Sequence, residues 1–398
     1  VRRVLWLAFL ACASGLSAQP VETAGPRAPH RLVRLDYDNS SGEKGTTCFD
    51  RDENGRIDRA VWELLDGGRY SINFYEYDGR GRLIRKAREF SDHKDTVQLY
   101  RYDDRGRLQS EEFFAGNDSK GVTTYEYDPR GRLVLIRCHA YNGWVEGTIR
   151  LAYGVDGLRS GGELVRDGAA VAEIAYDHDR DGNLAKETWA FKSGWRQTLL
   201  LVYAKTAGPR PNAYASPNPF VVNLKAPVRR EDYRYGDKLG GPSVYRYDRR
   251  GRLREKTFTR SDGLTTDTFY FYGGGAVPLR AYRRYSNGKN ALFRYQYDKA
   301  SRMLSKGFVA NDGASGRDTF SYDAAGMLKS ADYVNSDQWL TGTIAIDETS
   351  RGLPRRGTYT DRSGLGASIL FDYDGRSCLL RIAWTFSDGR TQVYSYSY

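Results

Sequence analysis

YEYDGRGRL at 75–83, YRYDDRGRL at 100–108 and YEYDPRGRL at 125–133 are one pattern written three times. It returns as YRYDRRGRL (245–253), YQYDKASRML (295–304) and FSYDAAGML (320–328). The second tyrosine of the pattern falls at 77, 102 and 127, then at 247, 272 (there followed by Gly273), 297 and 322, which sets a period of 25 residues. Weaker copies at Tyr153, Tyr176, Tyr203 and Tyr373, with Tyr396 near the next expected place, extend the repetition over nearly the whole chain. A fixed period of this size marks one supersecondary unit used many times.

Each unit carries two turn signals. In Asp-x-x-Gly, the aspartate suits the first position of a type I turn and the glycine the left-handed position that follows. Asp78 with Gly81, Asp103 with Gly106, Asp128 with Gly131 and Asp248 with Gly251 fit this pattern. Between them run Asp66-Gly67, Asn142-Gly143, Asp167-Gly168, Asp262-Gly263, Asn287-Gly288, Asp312-Gly313 and Asp388-Gly389. Such dipeptides favour two-residue hairpins with positive φ at both central positions. The offset between the two series is 14 residues, as from Asp128 to Asn142, leaving room for one strand between turns.

The expected fold is therefore all-β, a long antiparallel meander of about fourteen two-stranded units. About 28 strands are too many for a flat open sheet, so the meander should curl into a spiral, a solenoid or a barrel-like shell. A β-propeller is the alternative. The tyrosines of Y-x-Y-D share one face, because strand side chains alternate. Leucine after the turn is followed five residues later by an aromatic, as in Leu108 and Phe113 or Leu184 and Trp189. An odd offset calls either for a sheet apolar on both sides or for a bulged strand.

Tandem Y-x-Y-D-x-x-G-R-L resembles the YD repeat of the RHS family, found in polymorphic toxins, in cocoon-forming subunits of insecticidal toxin complexes and in teneurins. The resemblance covers roughly 31–203 and 233–398. It implies a spiral of stacked hairpins that in full-length relatives encloses a C-terminal cargo. The units here are longer than the family's usual ones, and the chain ends in repeat (YSYSY, 394–398), without a toxin domain.

Composition agrees with strands and turns: 30 Tyr and 43 Gly, against 2 Met, 4 Cys and 4 His in 398 residues. Four cysteines exclude a disulfide-dense scaffold, and four scattered histidines leave little for His-built metal or acid–base centres. Residues 1–18 read as a secretory signal peptide, with Arg2 and Arg3 ahead of an apolar run and small residues before Gln19. Its removal takes the formal charge from +11 to +9. Leu10-Ala11-Cys12 also resembles a lipoprotein cleavage site, so membrane attachment would come only through lipidation of Cys12. The remaining thiols, Cys48, Cys138 and Cys378, read as buried strand residues. A linker at 19–30, a first repeat half at 31–206, a proline-rich connector at 207–242 and a second half at 243–398 complete the expected organisation. The connector holds six of the 12 prolines.

Two loops suggest a cation. Asp50, Asp52, Asn54 and Asp58 with the carbonyl of Arg56, and Asp177, Asp179 and Asp181, place oxygens at spacings that suit a structural Ca²⁺. Val61 and Thr188 stand where an EF-hand has glutamate. The R-G-R element, Arg80/Arg82, Arg105/Arg107, Arg130/Arg132 and Arg250/Arg252, would recur as a basic ridge able to meet carboxylates, phosphates or sugar faces. The competing reading is that each arginine pairs with an Asp or stacks on a Tyr of its neighbour. No nucleophile elbow, zinc-protease helix, phosphate loop or dinucleotide fingerprint is present, so no enzyme is expected. The functional expectation is an exported envelope or surface module, periplasmic, outer-membrane-associated or extracellular. It would bind a glycan, an acidic envelope polymer or a protein, but not nucleic acid. The alternative is a shell or companion subunit that encloses a separate toxin effector.

Overall fold

The computed structural model describes residues 30–398 apart from 67, 117–118, 140–145, 206–226, 236–238, 337–339 and 351. The expected signal peptide with Cys12, the linker before residue 30 and most of the proline-rich connector lie outside them. Every regular element among the described residues is a strand, 28 in all.

The chain forms two compact units. In the first, β1 (His30–Asn39) to β14 (Arg196–Lys205), each strand pairs antiparallel with its sequence neighbours. The ends then meet: β1 pairs with β14, Leu35 opposite Leu201 and Tyr37 opposite Leu199. The second unit repeats this from β15 (Arg230–Tyr235) to β28 (Thr391–Ser397), with Tyr233 opposite Tyr394 and their rings stacked at 4.8 Å. Each unit is thus a closed fourteen-stranded barrel. The all-β meander is as expected, and closure leaves no unpaired edge. Sheets closed in this way divide into no blades, so the propeller alternative does not apply.

The second barrel begins earlier than the prolines suggest. β15 and the start of β16 (Leu239–Tyr247) fall inside the expected connector, and Pro242 lies opposite Asp232. Pairing of β16 with β17 (Leu253–Thr259) starts only at Ser243, so Pro242 occupies a strand beginning, where proline is tolerated.

The two turn series share one geometry. At Asp78 the N–H of Gly81 bonds the Asp78 carbonyl and the Asp78 N–H bonds the Arg82 carbonyl. At Asp262-Gly263 the same pair of bonds runs from Gly263 to Arg260 and from Arg260 to Leu264. Here only the glycine has positive φ, +89°. The expected two-residue hairpin, positive at both positions, occurs at Asp167-Gly168, with φ of 49° and 77°. At Asn287-Gly288, Asp312-Gly313 and Asp388-Gly389 too, the pair supplies the last two residues of a longer type I turn closed by a glycine bulge, whereas Gly67 and Asn142-Gly143 lie outside the described residues.

A bulge also settles which way the aromatics face. Tyr102 lies opposite Leu108 whereas Arg101 lies opposite Ser110, so Gln109 is an extra residue. The same shift follows the turns at Asp78, Asp128, Asp179, Asp248, Asp298, Asp323 and Asp374. It brings leucine and the aromatic five residues later to the same side: Leu184 and Trp189 share the first barrel's core, and Leu379 and Trp384 the second's. Cys48, Cys138 and Cys378 are buried free thiols.

Gly131 holds φ at +81° with open space where a Cβ would lie, whereas Gly79, in an equivalent turn, has equally open space and no positive φ. Gly131→Ala should therefore cost about 1 kcal/mol in a denaturant melt and Gly79→Ala close to nothing. Equal costs would show that the left-handed bulge is not what these turns require.

Candidate functional site

Because successive turns alternate between the ends of a meander, every Asp-x-x-Gly turn of the first barrel lies on one rim. Each turn is built the same way. Asp78 Oδ1 accepts the N–H groups of Arg80 and Arg82 at 2.9 and 2.8 Å, and Oδ2 accepts Arg82 Nε at 2.7 Å. Asp103, Asp128, Asp248 and Asp298 hold Arg107, Arg132, Arg252 and Arg302 likewise. The N–H group four residues on, followed by the guanidinium, keeps the carboxyls of Asp78, Asp103 and Asp298 below the usual range.

The clamped arginine then reaches the next hairpin. Arg82 lies over Tyr102 at 4.9 Å, Arg107 over Tyr127 at 4.7 Å, Arg132 over Tyr153 at 4.9 Å, Arg252 over Tyr272 at 4.7 Å and Arg302 over Tyr322 at 5.0 Å. Each of these tyrosines also donates its hydroxyl backward. Tyr102 bonds the Leu83 carbonyl at 2.9 Å, Tyr127 that of Leu108 at 2.9 Å, Tyr272 that of Leu253 at 2.9 Å and Tyr322 that of Met303 at 2.8 Å. The leucine carbonyl sits beyond the end of the ladder; β5 (Leu83–Phe90), for example, pairs with the next strand only from Arg85. The phenol satisfies a group that would otherwise lack a partner. Tyr77, Tyr153, Tyr203, Tyr247 and Tyr398 make the same bond to Ile57, Leu133, Leu184, Val228 and Leu379.

The expected basic ridge thus separates into two sets. Arg82, Arg107, Arg132 and Arg252 belong to this lattice, as the competing reading has it. Arg80, Arg105 and Arg130 stand exposed at consecutive turn tips, with no ion pair among the described residues. Neighbouring tips are two strands apart, about 9–10 Å at the usual strand spacing. The corresponding tips on either side are Asn54 and then Asp156 and Asp181, so the basic arc is bounded by neutral and acidic turns. Arg250 occupies the tip position of the second barrel but is only half-exposed.

The calcium candidates are placed differently from what their spacing suggests. Both loops are ordinary Asp-x-x-Gly turns: Asp52 and Asp179 are the turn-capping aspartates, and Asp50 and Asp177 belong to the preceding strands. Buried Asp50 pairs with buried Arg59 at 2.9 Å. Asp52 accepts the N–H groups of Asn54 and Arg56 at 2.9 Å and the Arg56 guanidinium. Asp58 lies 3.9 Å from Arg59, Asp177 pairs with Lys186, and Asp179 takes the Asn183 amide and the Asp181 N–H. Among the described residues no group of three metal-ligating side chains gathers. A calcium ion at either loop would have to take its carboxylates from Arg56, Arg59 or Lys186.

What sequence reasoning missed lies inside. The residue eight after the turn aspartate points inward, because the bulge changes the parity. It is Lys86, Glu111, Glu187, Lys256 and Lys306 in five of the units. Lys256 sits 2.9 Å from Glu231, which also accepts Tyr245 OH at 2.8 Å, and Lys306 sits 3.3 Å from Asp318. Buried Glu111 accepts from Gln98 and Tyr125, and burial pushes its carboxyl up against the pull of Lys86. A charge recurring at one fixed offset from the turn was the available signal.

No family model matches the chain, and no curated protein matches it. Among solved structures, TcdB2-TccC3-Cdc42 aligns over 97% of this chain and 28% of that one, at 10% identity and a TM-score of 0.19. TcdB2-TccC3 aligns over 92% and 28%, at 13% identity and a TM-score of 0.15. A porin-like protein from Bacteroides uniformis ATCC 8492 aligns over 76% and 96%, at 8% identity and a TM-score of 0.27. The chain thus spans 28% of the length of the TcdB2-TccC3 chains it matches.

Glu187 gives this interior a measurable signature. Burial pushes its carboxyl up to about 7, opposed by the hydrogen bond from Trp189 Nε1 at 2.6 Å. The folded value lies above the ordinary 4.5, so the full stability is present below that value and is lost as pH rises toward 7. Glu187→Gln should remove this slope and leave the protein more stable at about pH 8, by up to about 3 kcal/mol. Identical pH profiles for the two proteins would contradict it.

Proposed function

We propose that this chain is an exported, non-enzymatic repeat module that binds an acidic polymer of the cell envelope along the turn rim of its first barrel. The observation that carries this reading is the arc of Arg80, Arg105 and Arg130, the arginines that the lattice leaves exposed. Three guanidinium groups about 9–10 Å apart, set by the strand spacing, match an extended chain that repeats a carboxylate at a similar interval. Their bond to the polymer is electrostatic and exposed, so it weakens as salt screens it. The repeated ionisable groups described above are tied to structural partners, which supports a binding rather than a catalytic role. A second reading, a shell that encloses a protein, draws on the closure of each sheet and on the charged residues of its inner face.

Polygalacturonate, with neutral dextran as control, tests the first reading. The wild-type protein should bind polygalacturonate at low salt and not dextran, and Arg80→Ala/Arg105→Ala/Arg130→Ala should lose at least about tenfold in affinity with its melting curve unchanged. Arg107→Ala, a lattice change, should lower the melting temperature instead. Binding by the triple variant at wild-type strength would overturn the proposal.

A further inference from the structure

We infer that Arg88 anchors a carboxylate-binding site inside the first barrel. Ten residues after the turn aspartate, on the inner face, the other units carry Trp62, Phe113, Cys138, Trp189, Phe258, Phe308, Tyr333 and Trp384. Among the turns that open with aspartate, only that of Asp78 places an arginine there; in the unit of Tyr272, whose turn opens with Gly273, the register-equivalent residue is Arg283, which is half-buried rather than enclosed. Arg88 is 5% exposed, in a position that the other aspartate-led units fill with an apolar or aromatic side chain. A local rule broken without a compensating partner is where function is to be sought.

Arg88 lacks the partner that other buried or half-buried cations have. Arg59 has Asp50, Lys256 has Glu231, Lys306 has Asp318, and Lys86 feels Glu111. Among the described residues Arg88 forms no ion pair, and its hydrogen-bond partner is Ser71 Oγ, 2.9 Å from Nε. Its guanidinium lies over the rings of Trp62, at 4.9 Å, and Phe90, at 4.2 Å. The nearby phenols of Tyr37 and Tyr75 are pushed up by burial and stay neutral, so they supply no negative charge. Burial pulls Arg88 down only to about 10, which leaves it charged at neutral pH. An uncompensated charge in such a place is expensive.

A second unmet donor sits on the same ring. Trp62 Nε1 is buried and has no acceptor among the described residues. A guanidinium, an indole N–H and a serine hydroxyl bordered by two aromatic rings together ask for one planar acceptor carrying negative charge. A carboxylate on an apolar or aromatic body meets the fork of Arg88 in its plane while the rings cover the rest. This inference stands apart from the rim, which lies at the turn tips and uses other arginines.

Melting of the full chain in benzoate and in its neutral isostere benzamide, at matched ionic strength, tests the site. Benzoate should raise the wild-type melting temperature by at least about 2 °C and benzamide should not. Arg88→Met should abolish the benzoate response while melting, without anions, at or above the wild-type temperature. Trp62→Phe keeps the ring and loses the N–H, and should weaken benzoate binding several-fold. Repeating the titration with a glutamate-containing peptide separates a free carboxylate from one borne by a polypeptide. A response to either probe that needs Arg88 supports the site. A wild-type protein indifferent to both, or variants that respond as the wild type does, would overturn it.

Discussion

The bond from a tyrosine hydroxyl to the backbone carbonyl of the preceding hairpin is the interaction on which the architecture rests. In a meander, consecutive hairpins are joined covalently at one end only. At the other end the turns are free to splay. There Tyr102, Tyr127, Tyr272 and Tyr322 each bond a carbonyl that the ladder has left behind, and each is covered by an arginine of the hairpin it bonds. A hydrogen bond of this kind contributes about 1 kcal/mol and an exposed ring–guanidinium contact about 0.5–1 kcal/mol. Repeated around the rim, they fix the angle between neighbouring hairpins. The motif can then be read residue by residue: tyrosine joins, aspartate caps, glycine turns left-handed, arginine clamps and reaches across, and leucine starts the core.

Sequence and structure agree where the chemistry is local. The 25-residue period, the turn positions and the all-β meander follow from Y-x-Y-D and Asp-x-x-Gly. Closure does not, because the pairing of Leu35 with Leu201 joins residues far apart in sequence and no motif marks it. Turn type was ambiguous because Asp-Gly ends a type I turn with a bulge as readily as it makes a two-residue hairpin, and Asp167-Gly168 differs from Asp262-Gly263 in a single φ sign at the aspartate. Asp50 and Asp177 read as loop ligands because a strand acid two positions before the turn aspartate has the same spacing as a cation loop. Nothing in the spacing revealed that Arg59 and Lys186 lie opposite them.

The arginines show how a modest positive excess is partitioned. The second arginine of each R-G-R is absorbed by its own turn and the next tyrosine, so half of this repeated charge is structural. The exposed arc at Arg80, Arg105 and Arg130 and the enclosed Arg88 are the departures, one outside and one inside the same barrel. In both, the repeat supplies the expectation against which the arginine stands out. Aromatic residues at the positions equivalent to Arg88 show that the barrel does not need a charge there.

A double-mutant cycle on Arg107 and Tyr127 tests the central claim most directly. Arg107→Ala, Tyr127→Phe and the double variant are compared by equilibrium denaturation, each single change removing one arm of the link between adjacent hairpins. The account predicts that each single variant loses about 1 kcal/mol and that the two losses are not additive, with a coupling of at least about 0.5 kcal/mol. Strictly additive losses, or single variants as stable as the wild type, would contradict it.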